Sequence, residues 1–431
     1  MITFLAAVLI FSLQTNPVLS LWVQNCKNGA RFNRIRMTKD DFVSKTSECP
    51  FSKAFPRYKI DLSRLKEHSK HSWFSSPFQV ISNSVQRSKL EGMLTQGEEI
   101  HWDSEVEGVS AMSLLWHRSS QMISNARVLS SEIVALPEAN LQLVQNWVEI
   151  VQWMSDGDDS LLRASLLTSE SSGVSVPAVR IELLGTLEDD LEDNLGPTTN
   201  TDSADVLNAR TRAWVKRILV EQGICPFTKS ATKSGHGLSD VGVPVGTIAY
   251  HASFAEDAFH LFADTWKAID EMIKAGPSGK TGVSSILLAA PAFDDDFDFW
   301  AGPIFAMLEA SVVAAQAQEQ IGVVCFHPQY ATPDGKSWPG FGHMHSLPRL
   351  QKWYLEHSDS KDLTTDDIAA GGAWQRRTPH ATINVLRADQ LEAAESKRMS
   401  GSMYTENIEK LIRSIGSSKL ADDLEQERQL V

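Results

Sequence analysis

Four short apolar runs, Thr247 to His251, Ser284 to Ala290, Gly322 to Phe326 and Thr382 to Leu386, alternate with helix-patterned segments in the second half of the chain. Strands interleaved with helices require a sheet whose apolar faces are covered by helices. The helical segments are Asp205 to Glu221, Phe254 to Ala275, Asp298 to Gln318 and Tyr404 to Ile415. In the first of them Val206, Leu207, Trp214, Ile218 and Leu219 are available for burial, and Gly276-Pro277 stops the second. The stretch from Pro328 to Gly372 reads as irregular. The expected class is therefore α+β (layered α/β), with a roughly four-stranded sheet packed with helices. Spacing alone leaves the strand order open.

A chain of 431 residues is too long for one ordinary core and predicts two domains. In the first region, Tyr58 to Leu62, Ala126 to Leu136 and Val176 to Leu184 have strand character, and Glu105 to Ser124 is patterned as a helix. Pro137 ends the second strand. A helix beginning near Glu138 then places Leu141, Val144, Trp147, Val148, Val151 and Met154 on one broad face. Residues 46–187 thus read as a small α+β module. Between Glu188 and Asp205 lie seven acidic residues and no basic one. Like charges repel and no apolar stripe offers burial, so 188–204 is expected to be an exposed linker. The second domain spans 205–416, and 417–431 reads as a polar tail.

Hydrophobic residues make up 42% of the chain, enough for globular folding. The formal net charge of -14 disfavours nonspecific binding to nucleic acid or to an anionic membrane. Cys26, Cys49, Cys225 and Cys325 are too few for a disulfide scaffold and form no CxxC pair. Phe4 to Leu13 is apolar but too short to span a bilayer. With small-residue cleavage geometry at Val18-Leu19-Ser20, residues 1–20 read as a signal peptide, although no positive charge precedes the apolar run. Residues 21–45 open with Leu21 to Lys39, which holds five basic residues and no acid, a transit-peptide character. The pair resembles the bipartite presequence of secondary plastids and predicts plastid delivery, with plain secretion as the alternative. The mature form is expected to make no membrane contact.

The second region also resembles a known family. Arg212-Ala213-Trp214-Val215, Cys225-Pro226-Phe227, Phe326-His327-Pro328, Arg377-Thr378-Pro379, Leu386-Arg387 and Asn407-Ile408 occur in the order seen in the family called domain of unknown function 1415. Where that family carries a His-Pro pair after the second strand, this chain has Ala290-Pro291. Its segment from Trp353 to Gly372 is longer than usual. The resemblance implies no activity.

The chemistry-bearing residues gather at expected strand and helix ends, where ligand-binding side chains collect in layered folds. Cys225, His327 and His380 are the candidate catalytic residues, and Arg376, Arg377 and Arg387 the candidate ligand-binding ones. A guanidinium fork pairs bidentately with carboxylate or phosphate, so the expected partner is a small anionic metabolite. Each residue also has a structural alternative. Cys225 sits past a helix C-terminus, an end that disfavours thiolate, and can be inert. His327 can cap the sheet through hydrogen bonds. The arginines can pair with the Asp294-Asp295-Asp296-Asp298 run. His343 and His345 lack ligand spacing, so no metal site is expected; the sequence leaves any cofactor open. Gly276-Pro277-Ser278-Gly279-Lys280-Thr281 is a turn, because it follows a helix and precedes a strand, the reverse of a phosphate loop. Three functions stay open: an enzyme-like site for a small anion, a noncatalytic binding or assembly module, and a thiol redox sensor using Cys225 and Cys325.

Overall fold

The computed structural model describes residues 77–125, 131–155, 161–169, 171–184, 202–276, 282–334, 345–396 and 400–431. The segments expected as a presequence, as a strand at Tyr58 to Leu62 and, for the most part, as an acidic linker lie outside the described residues, as do Cys26, Cys49 and His343. The chain divides into two compact units, and Glu107 and Leu187 lie in the first. Gly108–Gln121 clusters with the second unit, together with Glu188–Val431.

The first unit holds α1 (Pro77–Glu91), β1 (Glu99–Trp102), β2 (Ser131–Ala135), α3 (Leu141–Met154), β3 (Leu162–Leu166) and β4 (Ala178–Leu183). The sheet order is β1-β2-β4-β3, with β1 parallel to β2 and the other pairs antiparallel. The Asn140 side chain accepts from the Gln142 N–H and starts α3. The buried face of that helix runs through Leu143, Val144, Trp147, Val148, Ile150, Val151 and Met154. Leu141, expected on that face, is exposed, because it occupies the first position of the opening turn.

The second unit contains α2 (Gly108–Ser124, clustered here to Gln121), whose Trp116 ring meets Phe262 edge-on at 5.2 Å. Its sheet has six strands rather than four: β5 (Thr228–Ser230), β6 (Lys233–Ser234), β7 (Gly246–Ala252), β8 (Val283–Ala289), β9 (Ile321–Phe326) and β10 (Thr382–Arg387). The order is β5-β6-β7-β8-β10-β9. The two extra strands are too short to leave a periodic signal. β7 and β8 run parallel, while β10 runs antiparallel to both of its neighbours. The ends of β7, β8 and β9 therefore meet the start of β10.

Helices cover both faces. α4 (Ala204–Trp214) continues as a π-helical turn over Val215–Glu221, and α5 (Ala258–Ala275) is capped by Asp257. A helical turn at Phe297–Phe299 passes through a π segment, Trp300–Ile304, into α6 (Phe305–Ala314). Pro303 lies inside that π segment, where its missing N–H can be accommodated. The run Phe297–Ala314 is long and apolar enough to cross a membrane. Trp300, Phe305, Leu308 and Val312 are nevertheless buried, and Trp300 Nε1 donates to Phe326 O. On the opposite face Ile248, Leu287, Val324 and Phe326 pack with Trp214, Val215, Ile218 and Trp374. Full burial of each such aliphatic or phenyl side chain is worth roughly 1.5–3 kcal/mol.

The stretch expected to be irregular contains α7 (Leu347–His357) and α8 (Thr365–Trp374). Leu350 and Tyr354, four apart, are buried on α7, and Thr364 with Asp367 forms a capping box that begins α8. After β10 come α9 (Ala388–Ser396) and α10 (Ser400–Glu409), the latter extended by a π segment over Lys410–Ile415. The tail is α11 (Ser417–Arg428), which buries Leu420 and Leu424 in the same core.

Candidate functional site

Three loops converge where β8 and β9 end and β10 begins. Asp294 follows β8, His327 follows β9, and His380 precedes β10. The two histidines are used in opposite ways. His327 is fully buried, its Nε2 donates to Phe293 O at 2.9 Å, and its Nδ1 accepts from Gln329 N at 3.0 Å. Both ring nitrogens are thus spent on main chain, and burial pushes the imidazole below its ordinary value. His380 meets charged groups instead. Its Nδ1 lies 2.8 Å from Asp294 Oδ2, and its Nε2 lies 3.3 Å from Arg210 Nη1. A guanidinium only donates, so Nε2 is the acceptor and the proton sits on Nδ1, directed at the carboxylate.

The support around His380 is dense. Its carbonyl accepts from the Thr378 and Thr382 hydroxyls, each at 2.7 Å. Ala381 N donates to the second Asp294 oxygen at 2.6 Å, and Ala290 N donates to Ala381 O at 2.8 Å. Arg428 Nη2 approaches Asp294 Oδ2 at 3.7 Å. Arg210 itself donates from Nε to Leu430 O at 2.9 Å and holds the Asp202 carboxylate through both terminal nitrogens.

The remaining candidates do not join this cluster. Arg376 donates to Cys325 O and lies over the Phe326 and Tyr330 rings. Arg377 donates to Tyr330 O at 3.0 Å and stacks on Trp374 at 4.5 Å. Arg387 closes the far end of β10, donating to Val283 O at 2.6 Å and to Met272 O in the last turn of α5 at 2.7 Å. Burial draws both Arg377 and Arg387 below the ordinary arginine value. Cys225 is half-buried just past the π segment of α4, and its sulfur accepts from the Thr228 hydroxyl. Cys325 faces the layer of Trp300, and burial pushes its thiol far up. His345 packs edge-on against Trp353 and Tyr404. Among the described residues no group of three or more His, Cys, Asp or Glu is arranged to hold a metal ion.

Sequence reasoning passed over Arg210, Arg428 and Asp202, and took Asp294 only as a partner for the wrong arginines. One signal was present. The buried stripe of α4 is Leu207, Arg210, Thr211 and Trp214, so a charge stands on the apolar face of an amphipathic helix. A charge there needs a buried partner.

No curated protein and no solved structure matches the chain. A family model does match, over residues 206–338, a span that includes Arg210, Cys225, Asp294 and His327 and ends before the segment from Arg376 to Arg387; the family is described as protein of unknown function (DUF1415).

Proposed function

We propose that the second unit binds a small anionic molecule beside His380, in an enzyme-like site where Asp294 orients the imidazole and Arg210 and Arg428 receive the anion. The observation that carries this reading is the contrast between the histidines. His327 spends both nitrogens on main chain, whereas His380 Nε2 faces a guanidinium, a group that a ligand can draw away. An imidazole held at Nδ1 by a carboxylate presents Nε2 for proton transfer or for a hydrogen bond. The test is an unbiased metabolite screen by thermal shift on the full chain, repeated on His380→Gln and Arg210→Met. A metabolite that stabilises the wild type and neither variant supports the site. Equal stabilisation of all three proteins would remove it.

A second reading has its own support. Arg210 ties Asp202 to Leu430 O, so the same network can serve a noncatalytic module by holding the start of α4 to the segment that follows α11. In that case Arg210→Met lowers the melting temperature steeply and no metabolite responds. The thiol redox reading is weakened by Cys325, whose burial disfavours the thiolate needed for exchange. Delivery to a plastid completes the proposal, and a fluorescent fusion of residues 1–45 that reaches only the medium would replace it with secretion.

A further inference from the structure

We infer that the anion taken by this site is a small carboxylate, and that the Asp202 side chain is its built-in competitor. The inference rests on the site reading above. Arg210 is 8% exposed, so its charge must stay paired when any ligand enters. Four polar contacts are formed by its guanidinium. Nη1 and Nη2 hold the two oxygens of one planar carboxylate, Nε holds the Leu430 carbonyl, and Nη1 also faces His380 Nε2. The fork, with one oxygen on each terminal nitrogen, can hold a carboxylate or a phosphate, and its occupant here is a carboxylate, that of Asp202. The carboxylate that fills it is the more exposed partner, at 28% against 10% for the arginine side chain, and Asp202 lies outside α4, which begins at Ala204. It is thus the part of the pair that can leave at least cost. A free carboxylate would replace it like for like beside His380, with no buried charge left alone.

An internal competitor reduces apparent affinity by the fraction of time that the fork is free. If Asp202 holds Arg210 more than nine-tenths of the time, its removal should tighten a carboxylate ligand by about tenfold or more. The probe is sodium malonate, titrated by calorimetry into the full chain at constant ionic strength, with sodium phosphate as the comparison anion. Asp202→Asn should bind malonate at least tenfold tighter than the wild type, and Arg210→Met in that background should bind none. Unchanged malonate affinity in Asp202→Asn would overturn the competitor, as would an equal gain for phosphate overturn the carboxylate. In either case a metabolite response lost in His380→Gln would leave the site reading standing. Should Asp202→Asn fail to fold, hydrogen exchange on the wild type decides the matter. Malonate should speed exchange at the amides of Ser203 to Asp205 while phosphate does not, and protection unchanged by malonate would reject the inference.

Discussion

The two ends of β10 are about 17 Å apart at strand rise, and each carries basic side chains, yet they teach different lessons. At the His380 end charges meet charges, with Asp294, Arg210, Asp202 and Arg428 in one network. At the Arg387 end the guanidinium donates to main-chain carbonyls, Val283 O on the sheet and Met272 O on α5. A guanidinium on carbonyls closes orphaned helix and strand termini, a structural task. A guanidinium on a displaceable carboxylate can exchange its partner. Position at a strand end does not separate these cases, but the nature of the acceptor does.

The largest effect should fall on the structural end. Arg387→Met removes the guanidinium donor from Val283 O and Met272 O and should cost about 3 kcal/mol. Thermal melting of the full chain would register this as a drop of roughly 10 °C. Metabolite binding at His380 should survive below the new melting point. A melting temperature within about 2 °C of wild type, on the order of 1 kcal/mol or less, would erase the distinction between the two ends.

The comparison sharpens within the His380 end, because its two histidines differ. His327→Ala strips partners from Phe293 O and Gln329 N and should cost about 2 kcal/mol. The same histidine predicts acid sensitivity. Burial holds its folded-state value below the ordinary 6.5, so the folded protein takes up that proton less readily than the unfolded chain. The stabilisation is complete above 6.5 and declines as pH falls through that value, at no more than about 1.4 kcal/mol per pH unit. Melting from pH 7 to 5 should show this decline in the wild type, and less of it in His327→Gln. A decline equally steep in wild type and His327→Gln would contradict the buried neutral imidazole.

These contrasts explain what the sequence disclosed. Strong periodicity exposed β7 to β10 and α5, since apolar residues at spacings of 2 and 3.6 survive any tertiary arrangement. β5 and β6 are too short for a period, and α7 is masked by Arg349, Gln351 and Lys352 standing among its apolar positions. For the site, strand-end logic located His327 and His380, but partner identity depends on contacts such as Arg210 to His380, 170 residues apart. Arg376, Arg377 and Arg387 looked alike in sequence. Only their acceptors, Cys325 O, Tyr330 O and the α5 carboxyl-terminal turn, show that each is engaged by the main chain.

A smaller effect is expected at Arg377, which is half-buried and makes one carbonyl hydrogen bond and one stacking contact with Trp374. Arg377→Met retains much of the stacking surface and should cost about 1 kcal/mol. Chemical denaturation should therefore rank the three substitutions Arg387, His327, Arg377. A loss at Arg377 as large as at Arg387 would mean that exposure does not grade these main-chain contacts.

The smallest effect concerns the thiols and carries the comparison from charges to nucleophiles. Cys225 is half-buried and accepts one hydroxyl hydrogen bond at 3.4 Å, an interaction that a serine oxygen can take over. Cys225→Ser should therefore change stability by less than about 0.5 kcal/mol. Cys325 is fully buried on the Trp300 face, with its thiol pushed up by burial. Cys325→Ser places a hydroxyl in that apolar layer and should cost about 1–2 kcal/mol. Reactivity should divide the same way, since the thiolate is the attacking species and Cys325 forms it least readily. Iodoacetamide on the native protein, read peptide by peptide so that Cys26 and Cys49 are resolved, should label Cys225 well before Cys325. Equal labelling rates would show that the sheet opens on the time scale of the reaction, and the burial that separates the two thiols would then be too transient to support the ranking.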